Sequence, residues 1–139
     1  VNYLLDTNVI SELRKGQRCN VNVAAWFATV PDQALYLSVL VIGEIRRGIE
    51  RIRLRDVQAA TTLEAWLTQV VMQHDDRIIP VTQGVAEEWG RLNATRPLPT
   101  VDSLLAATAK VHGLTLVTRN VTDIAGTGVA YLNPFDSPR

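Results

Sequence analysis

The stretch VNYLLDTN, residues 1–8, packs four residues that favour strands or buried cores into its first five positions. It then turns polar at once, with Asp6 followed by Thr7 and Asn8. NYLL (2–5) reads as a strand, and NVISELRK (8–15) as a short helix with Gly16 near its end. Asp6 therefore stands where a strand stops and a helix starts. Two roles fit that place. A side-chain oxygen capping the helix contributes about 0.5–2 kcal/mol. Alternatively, the carboxylate belongs to a site built at the strand's end.

The same alternation continues outward from this stretch. NVAAWFATV (22–30) reads as a helix closed by Pro31-Asp32, and ALYLSV (34–39) as a strand apolar on both faces. A helix is expected from about Val41 to Ile52, with Val41, Ile42, Ile45, Ile49 and Ile52 as its core stripe. Another is expected from about Asp56 to His74. RIIPV (77–81) is strand-like, with Pro80 marking an edge or an end. GVAEEWGRLNAT (84–95) reads as a helix, and Pro97 and Pro99 bracket a loop. TVDSLLAATAKVHG (100–113) is a helix stopped by Gly113. LTLVT (114–118) and VAYLN (129–133) complete the strands. Strands alternating with helices predict an α/β fold with a mostly parallel sheet between helical layers. Ligand groups on such a sheet gather beyond the carboxyl ends of the strands.

The 139 residues suit one domain with a real core, and 47% apolar against 20% charged residues suits a folded, soluble chain. A single cysteine, Cys19, leaves no internal disulfide framework. No apolar run approaches a membrane span, and no basic-then-apolar leader pattern is visible. A cytoplasmic protein without a membrane role is the expectation. Lys+Arg and Asp+Glu both number 14, so net charge gives no argument for nucleic acid. Only Lys15 and Lys110 are lysines, and Arg46, Arg47, Arg51, Arg53 and Arg55 crowd one stretch. Arginine suits bidentate phosphate contacts, although such a face is often merely solvated.

Placing the acids on this pattern sorts them. Asp6 falls at the end of the first strand, Glu44 in the helix after the second, and Asp102 in the first turn of the 100–113 helix. Asn120 and Asp123 follow the LTLVT strand. Each acid alone has an ordinary explanation: a cap for Asp6, the helix dipole for Asp102, and a pair with Arg47 for Glu44. Together they converge on one end of one sheet. Like charges gathered there raise each other's pKa unless a cation joins them. The donors are hard oxygens, and His74 and His112 stand apart, so Mg²⁺ or Mn²⁺ fits better than zinc. Such cations serve phosphoryl chemistry. No Ser-His-Asp or Cys-His constellation, Walker A loop or G-x-G-x-x-G is present.

LLDTNVISEL, SVLVIGEIRRGI, VDSLLAATAKVHGLTLVTRN and YLNPF, in that order, resemble a PIN domain. More closely, they resemble the VapC-type toxins of bacterial toxin–antitoxin pairs, including the FitB-like branch. The resemblance covers essentially the whole chain, residues 1–139 as a single PIN domain. It implies a three-layer α/β/α sandwich and a metal-dependent endoribonuclease. Asp6, Glu44 and Asp102 match the family's acids, as metal-binding and catalytic residues. Asn120 stands where many members place a fourth acid, with Asp123 as the nearest carboxylate. One firmly held Mg²⁺ (or Mn²⁺) is therefore expected, with any second ion arriving with substrate. Asn8, Ser38 and Thr118 are candidates to orient carboxylates or water, and Asp123 could ligate a further ion. Arg14, Arg46, Arg47 and Arg119 are candidates to meet phosphate.

The implied partners are an RNA substrate with exposed backbone, a cognate antitoxin protein, and operator DNA only through that antitoxin. A homodimer is also implied, and apolar residues on the 21–30 and 42–52 helices are candidates for either the antitoxin or the dimer interface. Trp26, Trp66 and Trp89 are expected as core anchors. Two rivals remain at this point. An aspartate-based phosphotransferase would want a lysine at a late strand end, which no strand here supplies. A metal-silent PIN-like module would act by binding protein or nucleic acid without cleavage.

Overall fold

A computed structural model describes residues 1–137. β1 (Tyr3–Leu5) leads into α1 (Thr7–Leu13) and α2 (Val21–Ala28), then β2 (Leu35–Ser38), α3 (Val39–Arg53) and α4 (Val57–Gln73). β3 (Ile78–Ile79), α5 (Gln83–Leu92), α6 (Thr100–His112), β4 (Thr115–Val117), α7 (Val121–Ile124) and β5 (Tyr131–Leu132) follow. Every expected strand and helix is present. The additions are α7, four residues long and too short to show a helical period, and single 3-10 turns at Gly16–Arg18, Asp32–Ala34 and Asp75–Arg77.

Helix starts follow side-chain chemistry. Asn20, Ser38, Asp56 and Thr82 each accept a backbone N–H in the first turn of α2, α3, α4 and α5. These caps satisfy donors that a helix leaves open. Ser38 lets α3 begin at Val39, two residues earlier than its apolar stripe suggested. At the other end of α6, Gly113 takes φ +66°, the left-handed stop its position predicted.

All four strand pairings are parallel, in the order β3-β2-β1-β4-β5. Leu4 and Leu5 point to opposite faces of β1, and both are buried, so helices cover the sheet on both sides. The result is the α/β/α sandwich. Leu35, Leu37, Val41, Ile45, Ile49, Leu105 and Leu116 continue the core, while Ile42 and Ile52 of the α3 stripe are only half-buried. Trp26 meets Tyr3 edge-on at 5.3 Å, and Trp89 Nε1–H donates to Ser103 Oγ at 3.0 Å, tying α5 to α6. Among the described residues no helix is long and apolar enough to cross a membrane. The chain builds outward from β1 through β2 to β3, then crosses back to β4 on the other flank of β1. That reversal is a topological switch point, and in such sheets ligand groups gather beyond the carboxyl ends of the strands beside it, here β1 and β4.

One buried charge holds this frame. The Arg77 guanidinium donates to the backbone carbonyls of Asp32, Leu35 (3.0 Å) and Gln73 (2.7 Å), joining the entry of β2 to the end of α4. Its acidic neighbours Asp32 and Asp76 are exposed at 3.4 Å, so the carbonyls matter more than the ion pairs. Arg77→Met strands three acceptors and is expected to cost about 3 kcal/mol, read as a lower urea midpoint with an unchanged m-value.

Candidate active site

Asp6 stands at that switch point, directly after β1. Its backbone N–H donates to Val117 O at 2.9 Å, pinning the end of β1 to β4, and its carbonyl accepts from Val9 and Ile10. Its carboxylate has two sides. Oδ1 accepts the Thr7 N–H at 2.7 Å, which caps α1 and starts that helix one residue before Asn8. Oδ2 accepts the Thr118 hydroxyl at 2.7 Å and the Asn8 amide at 3.4 Å. Asp6 is thus both cap and site residue, and the two roles suggested by the sequence are not exclusive. Only 5% of it is exposed. Burial raises its pKa most, and Glu44 raises it further, against the opposing hydrogen bonds from Thr118, Thr7 and Asn8.

Glu44 reaches the same place from α3. Its Oε1 accepts the Thr7 hydroxyl at 2.6 Å, so Thr7 links two acids, one through its backbone and one through its side chain. The sequence reading gave Thr7 no site role; its position directly behind Asp6 was the available signal. Asp102 enters from the first turn of α6, where it makes no hydrogen bond or ion pair among the described residues. Its pKa is raised first by burial, then by Asp6, Asp123 and Glu44. Four carboxylates, one at the β1–α1 junction and one each from α3, α6 and α7, therefore share one electrostatic neighbourhood. Asp123, in the first turn of α7, joins them where the sequence offered Asn120. Asn120 is exposed; its backbone N–H donates to Thr118 Oγ1 at 3.0 Å, and its side chain makes no hydrogen bond among the described residues.

The remaining candidates separate cleanly. Asn8 bridges the Asp6 carboxylate and the Arg119 N–H (3.3 Å). Ser38 is fully buried and spends its Oγ on the Leu40 N–H at 3.1 Å, which is a capping role. Arg14 lies over the Trp66 ring at 5.7 Å. Arg46 pairs with Glu64 at 2.7 Å and Glu50 at 3.2 Å, on the α4 side of α3. Arg119 stacks on Phe135 at 4.6 Å. Arg47 is exposed and makes no ion pair among the described residues. His74 is buried against Val70 O, away from the acids.

Among the described residues no ion pair involves Asp6, Glu44, Asp102 or Asp123. Nor are three Asp, Glu, His or Cys side chains already drawn to a common coordination point. Asp6 and Glu44 are turned onto Thr118, Asn8 and Thr7 instead. The donor chemistry nevertheless fits a hard divalent cation: all oxygen, multiply negative, and among the described residues without a protein cation to neutralise it.

The PIN domain family model matches residues 3–122. The chain belongs to the PIN-domain family. Toxin FitB of Neisseria gonorrhoeae is 32% identical over 138 residues, covering 95% of this chain and 97% of that protein. VapC ribonuclease Y4jK of Sinorhizobium fredii is 29% identical over 140 residues, covering 96% and 97%. The solved structure of FitAB bound to an IR36 DNA fragment superposes with a TM-score of 0.88 at 29% identity, covering 99% of this chain and 98% of that one. The PIN fold thus accounts for the sheet order, and its switch point is where these four acids meet.

Proposed function

We propose that this PIN domain is a Mg²⁺-dependent endoribonuclease toxin, neutralised by a cognate antitoxin. One observation carries the reading: Thr7 holds Asp6 and Glu44 together, Asp102 lies in the field of both and of Asp123, and no cation pairs with any of the four among the described residues. Support comes from the likeness to a toxin and to a VapC ribonuclease over nearly the full chain. Asp6 and Asp102 would hold the ion, with Glu44 and Asp123 completing the acidic wall. When bound, the cation supplies a Lewis acid that polarises the scissile phosphate and acidifies water. The chain's own residues do the positioning. Thr118 and Asn8 fix the plane of the Asp6 carboxylate, and Thr7 aims Glu44. Thr118 also anchors the start of α7 through the Asn120 N–H, which sets where Asp123 stands.

The experiment is cleavage of unstructured RNA by the purified chain in Mg²⁺ and in EDTA. Cleavage in Mg²⁺ that stops in EDTA is expected; equal rates in both would refute the metal-dependent reading, and RNA left intact in both would refute the nuclease. Thr118→Val is expected to lower cleavage about 10–100-fold, the usual effect of losing a residue that orients a ligand. It should also move the acid limb of the pH profile upward. The Thr118 hydroxyl lowers the Asp6 pKa, so its loss lets that pKa rise further.

The likeness to a toxin–antitoxin complex and to FitAB bound to a DNA fragment supports an antitoxin partner and a complex that meets DNA; we further infer a homodimeric toxin acting in the cytoplasm. Affinity purification from cells expressing the chain with its flanking genes tests the partner. The expected result is one small co-purifying protein that restores full inhibition of RNA cleavage.

A further inference from the structure

We propose that Arg47, Arg51 and Arg55 form a track along α3 that holds the flank of the RNA strand as it leaves the carboxylates. The proposal rests on the ribonuclease reading and deepens it. Residues three and four apart share one face of a helix, and Glu44, Arg47, Arg51 and Arg55 follow that spacing. Glu44 marks where this face meets the acids, through its bond to Thr7. Arg51 then lies about 10 Å further along α3 at 1.5 Å per residue. Helical bonding runs on past the end of α3, with Arg55 N–H donating to Ile52 O at 3.0 Å, so Arg55 stays in step.

What distinguishes this face from an ordinary solvated one is how α3 partitions its cations. Arg46 and Arg53, on the α4 side, are spent on Glu50 and Glu64 at 2.7 to 3.3 Å. Arg47, Arg51 and Arg55 are exposed and make no ion pair or side-chain hydrogen bond among the described residues. Arg47 and Arg51 wall a shallow depression together with Glu50, Arg53 and Leu54, so the paired and the uncompensated arginines meet there. A zero net charge gives the chain no global field to attract a polyanion, and four acids repel phosphate locally. An uncompensated arginine row beginning at Glu44 supplies the missing attraction, and guanidinium forks suit phosphate. A second copy of this chain fits the stripe poorly. A two-fold contact would set the same patch against itself, arginine facing arginine.

The test measures binding of a fluorescent, unstructured RNA oligonucleotide against salt, in the full chain carrying Asp102→Asn so that the RNA survives. Each phosphate contact to a single strand contributes about 0.7 to the slope of log K against log salt. Arg47→Gln, Arg51→Gln and Arg55→Gln are each expected to flatten that slope by about 0.7, and the triple variant by about 2. Between about 50 and 200 mM salt, the parent should then lose about 20-fold more affinity than the triple variant. Arg46→Gln, its charge already paired, should leave the slope unchanged. A parental slope in the triple variant, while the wild type cleaves RNA, would overturn the track and leave the ribonuclease standing. Equal flattening by Arg46→Gln would overturn it too, as a diffuse charge effect. A change of molar mass in the triple variant by light scattering would assign the stripe to an interface between copies and overturn it. A wild-type chain that neither binds nor cleaves RNA would overturn both readings.

Discussion

Asp102→Asn should melt at a higher temperature than the parent in metal-free buffer at neutral pH, and should cleave RNA about 10³-fold more slowly in Mg²⁺. The two effects share one cause. The Asp102 pKa is raised by burial and by Asp6, Asp123 and Glu44, so its charged form is disfavoured in the folded chain. Between the unfolded pKa and the raised folded one, the native state binds more proton than the unfolded state. Stability therefore falls as pH rises through that window, and the full cost persists above it. An amide of the same shape removes that cost, so the melting advantage of Asp102→Asn should vanish at pH values below the window. Divalent cation should reverse the order. It stabilises the parent by about 2.7 kcal/mol at a hundred times its Kd, and stabilises the variant far less. The loss of cleavage reflects several kcal/mol of charge stabilisation forfeited, at 1.36 kcal/mol per tenfold. Melting curves at two pH values, with and without Mg²⁺, check the stability half. A variant less stable than the parent in EDTA at neutral pH would mean the acids do not strain the fold.

How far such a site can be read from sequence depends on how local its causes are. Asp6 was legible because a strand ending on an acid is a feature of eight consecutive residues. Glu44 and Asp102 became legible through one topological rule, that parallel sheets gather ligand groups beyond their carboxyl ends. Asp123 was visible only as the nearest carboxylate to Asn120, because α7 is too short to show a period that would aim it. The Thr7–Glu44 bond spans 37 positions, and nothing in either neighbourhood announces it. The arginines show both cases on one helix. Arg46 and Glu50 stand four apart and could be paired on paper, whereas Glu64, which takes both Arg46 and Arg53, arrives from α4. Arg77 read as the opening of a strand, and its burial depends on carbonyls more than forty positions upstream as well as on Gln73.

Asp6→Asn should abolish cleavage as fully as Asp102→Asn, but without the gain in stability. Asp6 also carries a raised pKa, so relief of charge favours the substitution here too. The difference lies in what surrounds it. Three donors point at the Asp6 carboxylate: the Thr7 N–H, the Thr118 hydroxyl and the Asn8 amide. An amide can keep one oxygen on the Thr7 N–H, which preserves the cap of α1. Its NH₂ must then face Thr118 and Asn8. The Thr118 oxygen can accept from it beside the Asn120 N–H, but the hydroxyl proton loses its acceptor. Asn8 can flip only by taking its oxygen off the Arg119 N–H. One buried donor is left without a partner, a cost of about 1–3 kcal/mol that outweighs the charge relief. The expected result is an inactive, folded protein that melts below the parent in EDTA, beside an inactive Asp102→Asn that melts above it. If the two variants shift in the same direction, the Thr118–Asp6–Asn8 network is not what holds the first acid in place.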